Sequence, residues 1–249
     1  SPITINTWHH VTMTYEDDSD DESSIYIDGI LQGTSTDGDG APAGTDTNNL
    51  LIGGDTAANF DGLIDDVRIY GYARTPGEIK LEYNGGLATR FGGSPNQDVN
   101  RGLVGYWTFD EGAGTTANDA SDSNNDGTLT NMDPATDWVS GKAGNGGALD
   151  FDGSDDFVDI GNPASLQITG SMTLAAWVNH KGNCDSTSYI INKHGNSGNK
   201  GWALHIDDAT ASKKFVMQIF NTSGSRIYRV SKTSCSLDTW FYVVGVYDA

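Results

Sequence analysis

The chain has 249 residues, of which 34 are acidic and 14 basic, and its net charge is −20 at pH 7. This charge excludes nucleic acid and anionic membrane surfaces as favoured partners, because both are polyanions. The sequence has no apolar run near the length of about 18 residues that a membrane span needs, and its first residues lack a signal-peptide pattern, as expected of a mature or excised chain. Hydrophobic residues make up 36%, which suffices for a two-sheet core because a strand buries only every second side chain.

The opening and the closing stretch of the chain share one pattern. Residues 7–16 and 239–248 both read Thr-Trp-x-x-Val-x-x-x-Tyr-acid, and Trp8 and Trp240 are 232 residues apart. Apolar residues alternate through both stretches, which predicts half-buried strands. We interpret the pair as one period of a tandem array that begins and ends in mid-domain. The alternative is two similar strands in one large sandwich.

The region between these stretches predicts many short strands separated by turns, which is typical of a sandwich or jelly roll. Asp28-Gly29 predicts a hairpin turn. Thr75, Pro76 and Glu78 predict the start of a short helix that ends near residue 84. Residues 87–101 are polar, show no periodicity and predict a linker. The other predicted strands are 50–54, 60–70, 102–111, 148–151, 157–160, 172–178, 189–193, 202–206, 215–220 and 227–230.

Six of these segments carry a family resemblance. Residues 102–111, 148–158 and 172–178 resemble the first half of a laminin-G-like jelly-roll domain, of the concanavalin A-like lectin/glucanase superfamily. The segments that resemble its second half are 7–11, 25–29 and 60–70. The resemblance implies an all-β jelly-roll β-sandwich of two antiparallel sheets with one short helix.

The order of the two halves is inverted relative to that family. Residues 1–86 resemble the C-terminal half of one domain, 87–101 form the linker, and 102–249 resemble the N-terminal part of the next. A half sandwich exposes unpaired strand edges, so each half needs a complement. That complement is the other half of the same chain, or a half from a neighbouring chain, which repeated head to tail builds a filament. The third possibility is a fragment whose halves are both incomplete.

Catalytic motifs are missing from the sequence. Glucanases of this superfamily place carboxylates as Glu-x-Asp-x-x-Glu on one strand, and no such run occurs. Asp65 and Asp66 are adjacent, so they point to opposite faces of a strand. The five histidines stand near no Ser or Cys motif of a catalytic triad. The sequence therefore predicts a protein that is not an enzyme.

One acidic loop has the spacing of calcium ligands. Asp122, Asn124 and Asp126 alternate before Gly127, as in the first positions of an oxygen-rich calcium loop, and Asp133 stands at the twelfth position. The alternative is an Asn/Asp turn held by hydrogen bonds to its own backbone. The resemblance implies a structural calcium ion near the first strand and the domain end. The candidate ligands that it adds are Asp66, Asp110 and Asp119.

Aromatic and cysteine residues suggest two further features. Trp8, Trp107, Trp177 and Trp240 lie in phase with apolar neighbours, which predicts core positions. Trp138 and Trp202 are less constrained and are the candidates for stacking on a sugar ring. Cys184 follows the strand around Trp177, and Cys235 precedes the strand around Trp240. If these strands are antiparallel neighbours, a disulfide can form in an oxidising compartment; two free thiols are the alternative.

Together these features predict a non-catalytic structural or adhesive module, extracellular or at the cell surface. It would be a tandem repeat or a filament subunit whose partners are copies of itself, joined head to tail, or adjacent repeats. Calcium is the expected structural cofactor, and neither nucleic acid nor membrane insertion is expected. The alternative is a carbohydrate-binding, lectin-like module of a larger secreted protein, with glycans as its ligands.

Overall fold

A computed structural model describes much of the chain. The described residues are 11–15, 23–27, 29–35, 47–54, 58–83, 100–142, 146–181, 187–194, 200–207, 214–220, 224–234 and 239–247. Among them no helix has both the length and the apolar character needed to cross a bilayer.

Strands dominate the described residues, as the alternating sequence pattern predicts. They are β1 (Val11–Tyr15), β2 (Ser23–Ile27), β3 (Ile30–Ser35), β4 (Leu50–Ile52), β5 (Asp61–Tyr70), β6 (Leu103–Trp107), β7 (Thr116–Ala117), β8 (Gly127–Thr130), β9 (Trp138–Ser140), β10 (Gly147–Asp152), β11 (Phe157–Gly161), β12 (Met172–His180), β13 (Ser188–Asn192), β14 (Trp202–Asp207), β15 (Lys214–Phe220), β16 (Arg226–Ser234) and β17 (Thr239–Tyr247). One α-helix, α1 (Pro76–Tyr83), and one 3₁₀ turn, Ala164–Leu166, complete the regular structure of the described segments. The predicted all-β fold with one short helix is confirmed.

The strands form two layers, and every strand pair in them is antiparallel. The back sheet has eight strands in the order β16-β15-β14-β13-β4-β11-β8-β7. The front sheet combines the series β17-β12-β1-β2-β3 with the series β6-β5-β10-β9. These series meet where β5 lies along β12: the Lys181 N–H donates to the Asp61 carbonyl at 2.6 Å, and the Thr173 hydroxyl donates to the Tyr72 carbonyl at 2.8 Å.

A single apolar core fills the space between the layers. Trp107 on β6 is fully buried, and its indole N–H donates to the Asn125 carbonyl at 3.0 Å. Trp177 on β12 is 3% exposed, so both of these predicted core tryptophans are confirmed. Each such side chain contributes roughly 2–3 kcal/mol of hydrophobic stabilisation. Trp8 lies outside the described residues.

Two local predictions are also confirmed by the geometry. The Thr75 N–H donates to Glu78 Oε2 at 2.8 Å, and the Glu78 N–H donates back to Thr75 Oγ1 at 3.4 Å. This reciprocal capping box fixes the start of α1 at Pro76. The β2–β3 hairpin turns at Gly29, whose φ of +71° is one that glycine adopts without steric cost.

The two predicted halves interleave within one chain. Strand β4 pairs with both β11 and β13 in the back sheet. Strand β5 pairs with β6 and β10 in the front sheet. The segment before the predicted linker thus supplies inner strands to sheets whose other strands follow the linker. Of that linker, the structure describes only residues 100 and 101.

Candidate functional site

The predicted calcium loop is organised around Asp119, which points back into the fold. Its carboxylate oxygens accept hydrogen bonds from the backbone N–H groups of Tyr106, Ser121 and Asn125 at 2.8, 2.9 and 2.8 Å. The Ser121 hydroxyl adds a fourth at 2.8 Å. Four donors occupy the carboxylate, which leaves it little capacity for a cation. Asp119 thus ties the loop to β6.

The other predicted ligands of this loop do not converge. Asp126 accepts the Asp119 N–H at 2.9 Å, and Asn124 donates to the Asp122 carbonyl at 3.1 Å. Asp133 accepts the N–H of Ala135 at 2.9 Å and so closes a separate turn. In the described part of the chain, no three of the predicted acidic ligands bring their oxygens within 4.8 Å of one another. This geometry favours the hydrogen-bonded turn over the calcium loop.

Asp66 belongs to a charged network under α1. Its Oδ1 accepts the Tyr106 hydroxyl at 2.7 Å and lies 3.4 Å from Arg68 Nη2. Arg68 Nη1 lies 3.0 Å from Glu82 Oε1, and Arg74 Nε lies 3.4 Å from Glu82 Oε2. Asp66 is 8% exposed and Arg74 1% exposed, so both charged groups are largely removed from water. The opposite charges in this network offset the cost of that desolvation. Arg68 and Arg74 thus join Glu82 of the helix to the front sheet, and Asp66 supports Arg68.

Its neighbour Asp65 has the least satisfied carboxylate of this region. The residue is fully buried on β5, and its Oδ1 has no hydrogen-bond partner among the described residues. Oδ2 accepts one N–H, from Lys142, at 3.3 Å. Burial, reinforced by the negative charge of Asp66, raises the pKa of Asp65 to about 9.

Asp110 lies against the same glycine-lined segment as Asp65. The Gly147 N–H donates to Asp110 Oδ1 at 2.6 Å. A Cβ on Gly141 would lie 2.7 Å from Asp65 Oδ2 and 2.2 Å from the Gly147 carbonyl, so only glycine permits this approach. Two carboxylates and backbone carbonyls are oxygen donors of the type that calcium prefers. Asp65 and Asp110 thus both lie beside the backbone of Gly141 and Gly147.

Sequence reasoning did not single out Asp65 as a ligand. The sequence only excluded Asp65 and Asp66 as a catalytic pair, because adjacent strand residues point to opposite faces. The sequence did contain one signal: Asp65 lies on the same strand face as the apolar residues Leu63, Val67 and Ile69. A carboxylate on a buried face requires a hydrogen-bond donor or an opposite charge.

A separate acidic turn joins β10 to β11. The carboxylates of Asp152, Asp155 and Asp156 lie within 4.8 Å of one another. Asp156 is 5% exposed and accepts the Asp152 N–H at 3.0 Å. Burial and the neighbouring negative charges raise the pKa of Asp156 to about 6. The hydrogen bonds account for this turn.

The outer face of the back sheet carries polar and aromatic side chains. Its β14, β15 and β16 positions that lie outside the shared core include His205, Gln218 and Tyr228. The Tyr189 ring lies 5.3 Å from the His205 ring. His205 is 2% exposed, its Nε2 has no hydrogen-bond partner in the described residues, and burial lowers its pKa to about 4. Tyr228 is 49% exposed.

The two tryptophans predicted to stack on sugars differ in exposure. Trp138 is half-buried on the edge strand β9, and its indole N–H donates to the Gly114 carbonyl at 2.9 Å. Trp202 is 2% exposed and belongs to the core, so the prediction for Trp202 is wrong: a buried ring offers no face to a ligand. Cys184 and Cys235 lie outside the described residues.

Comparison with known families agrees with the fold. A family model described as the concanavalin A-like lectin/glucanases superfamily matches residues 1–80 and 152–249. The first matched segment supplies β1 to β5, and the second contains β11 to β17. Neither a curated protein nor a solved structure matches the chain. On the strength of the two matched segments, this chain belongs to the concanavalin A-like lectin/glucanase superfamily.

Proposed function

We propose that this chain is a non-catalytic extracellular module with an adhesive or structural role. It acts as a tandem repeat or as a subunit that assembles with copies of itself. The family is one of carbohydrate-binding or adhesive modules, though it also includes glycosidases. The missing Glu-x-Asp-x-x-Glu run supports a non-catalytic role.

The observation that carries this proposal is the interleaving of two segments in inverted order. Two strands from the segment before the predicted linker pair with strands from the segment after it: β1 with β12, and β4 with β11. Any copy of the same half offers the same edge, so the complement can come from its own chain, from an adjacent repeat or from a neighbouring chain. Strand edges that accept a copy of a native strand are the usual origin of domain exchange.

Light scattering and negative-stain microscopy over a range of concentrations test this proposal, with calcium and with chelator. Open fibres would mean that complementary halves join different chains head to tail. A small closed assembly would mean that each chain closes on itself and associates through outer surfaces. A chain that stays strictly monomeric at high concentration would eliminate self-assembly.

Calcium is proposed as a structural cofactor, held by Asp65 and Asp110. The ion would supply the positive charge that the buried carboxylate of Asp65 lacks in its surroundings. Because the pKa of Asp65 is raised, calcium binding there releases a proton, and its affinity increases with pH.

Carbohydrate binding is the second candidate, favoured by the outer face of the back sheet. Tyr228 is exposed and Tyr189 partly exposed on this face, and each combines a ring face with a hydroxyl group, as the side chains of sugar sites do. A glycan array probes this candidate directly. Tyr228→Ala should reduce any signal at least tenfold, whereas Leu31→Ala, at a 47% exposed position on β3, should not. Silence over a broad panel would count against the candidate.

A further inference from the structure

Three strands lie beside β12 in the front sheet. Strand β5 follows one edge of it, from the Lys181–Asp61 hydrogen bond to the contact between Thr173 and Tyr72. Strand β17 pairs with β12 over nine residues, and β1 also pairs with it. A strand has two edges, so β1 and β17 have one edge of β12 between them.

The distances between strands place β17 on the same side of β12 as β1. The Cα atoms of β17 approach within 8 Å of those of β1 and also of those of β2. On the opposite edge of β12, β17 would lie about 9.5 Å from β1 and about 14 Å from β2, because neighbouring strands are about 4.8 Å apart. Strands β1 and β17 therefore meet in one position of the sheet, between β12 and β2, which we call the shared position.

The pairing register shows that the two strands are equivalent in the shared position. Ala175 pairs with Thr12 of β1 and with Val244 of β17. Thr12 and Val244 are 232 residues apart, as are Trp8 and Trp240 in the repeated sequence pattern. The strand pairing and the sequence repeat thus give the same offset independently. Strand β12 meets the same pattern in the same register from either strand.

Each of the two strands is well paired on one side of the shared position. Strand β17 has nine pairs with β12, whereas β1 has one. Strand β1 has five pairs with β2, from Val11↔Ile27 to Tyr15↔Ser23. One strand fills the space between two neighbours of a sheet, so complete pairing of either strand with both β12 and β2 requires the other strand to leave. The structure thus combines parts of two mutually exclusive arrangements.

We propose that β1 and β17 are alternative occupants of the shared position and that the chain exchanges between two forms. In one form β17 pairs with both β12 and β2, and in the other form β1 does. The nine pairs between β17 and β12 make the β17 form the major one. A ligand or a neighbouring repeat that binds only one form would shift the population towards it. The exchange takes place within one chain, so it does not depend on the proposed self-assembly.

An engineered disulfide tests the exchange in the full chain. Thr12→Cys with Ala175→Cys reports the β1 form, since opposite residues of antiparallel strands have Cα atoms about 4.5–5.5 Å apart, which a disulfide spans. Serine replaces the native cysteines, and the yield is measured in the monomer fraction. Val243→Pro, which disrupts the pairing of β17, should raise the yield at least threefold. An unchanged or lower yield would overturn the proposal, because β1 and β17 would then not compete.

A matched control and a milder variant accompany this test. Val11 is the residue of β1 equivalent to Val243, so Val11→Pro should lower the yield of the same disulfide at least threefold. Val243→Gly weakens β17 but keeps its backbone donors, and it should raise the yield at least 1.5-fold even if the proline variant fails to fold. A glycine variant with the wild-type yield would also contradict competition.

Hydrogen exchange of the wild-type chain provides a measurement without substitutions. Strand β12 is paired in both forms, whereas β1 and β17 are each released in one of them. The amides of β1 and of β17 should therefore exchange at least tenfold faster than those of β12. If β17 were protected as strongly as β12, it would occupy the shared position permanently, and the proposed exchange would be wrong.

Discussion

Replacement of Asp65 by asparagine should stabilise the protein in the absence of calcium. The folded protein holds the pKa of Asp65 at about 9, against 3.8 for the unperturbed group. At pH 7 the unfolded chain therefore gains free energy by ionising Asp65, which the folded state does not. Each pKa unit corresponds to 1.36 kcal/mol, so the 3.2 units between 3.8 and pH 7 amount to about 4 kcal/mol.

The variant Asp65→Asn removes this ionisation and keeps the shape of the side chain. We expect a gain of about 2–4 kcal/mol in chelator at pH 7, or a Tm higher by roughly 5–15 °C for a chain of this size. The pH dependence gives the sign. Because the pKa of Asp65 is higher in the folded than in the unfolded protein, the wild type loses stability as pH rises from about 4 to 9. The stability advantage of the variant therefore grows over the same range.

Calcium provides the second arm of this experiment. If Asp65 holds the ion, calcium raises the Tm of the wild type and not that of Asp65→Asn. The neighbouring Asp66→Asn is the matched control: it weakens the contacts to Tyr106 and Arg68, should lower the Tm, and should leave the calcium response intact. An Asp65→Asn protein that melts at or below the wild-type temperature in chelator would refute the reasoning.

Three further predictions concern the framework. Trp107→Ala should cost about 3–5 kcal/mol in urea unfolding, since it empties a fully buried site; a loss below 1 kcal/mol would place the ring outside the core. Gly62→Ala should lower the urea midpoint more than Gly112→Ala, because its Cβ would lie 1.9 Å from the Asn179 carbonyl, whereas Gly112 has open space; equal losses would contradict the β5–β12 contact. The pKa of His205 is about 4 in the folded protein, against 6.5 for the unperturbed group, so protonation of the unfolded chain should lower the free energy of unfolding by about 3 kcal/mol as pH falls from 6.5 to 4. In His205→Gln, the free energy of unfolding should depend less on pH over that range.

The fold class could be predicted because its determinants are local. Alternating apolar residues define β6 and β12, and the Thr75–Glu78 capping box defines the start of α1. Each of these signals is contained in a few consecutive residues. The neighbours of each strand could not be predicted in the same way. The position of β4 between β11 and β13 depends on contacts more than 100 residues apart, which leave no periodic signal in the sequence.

The candidate site was predicted less well, for a physical reason. Spacing identified Asp122 and its neighbours as ligands, but whether a carboxylate is available depends on which backbone donors surround it. Asp119 is occupied by four donors and Asp65 by one, and this difference appears only in three dimensions. Trp202 was misjudged because of the polar residues next to it, whereas β14 is buried along its whole length.

The interleaving of early and late strands also determines when this chain can fold. During synthesis β1 to β5 are made before their partners: β5 pairs with residues as far along as 152, and β4 with residues as far along as 192. Until then the hydrophobic faces of these strands remain exposed, and closing such long loops slows the search for native pairs. Because exposed strands aggregate, the concentration of unfinished chains limits the yield of native protein. Refolding from denaturant should therefore be slow and more efficient at high dilution.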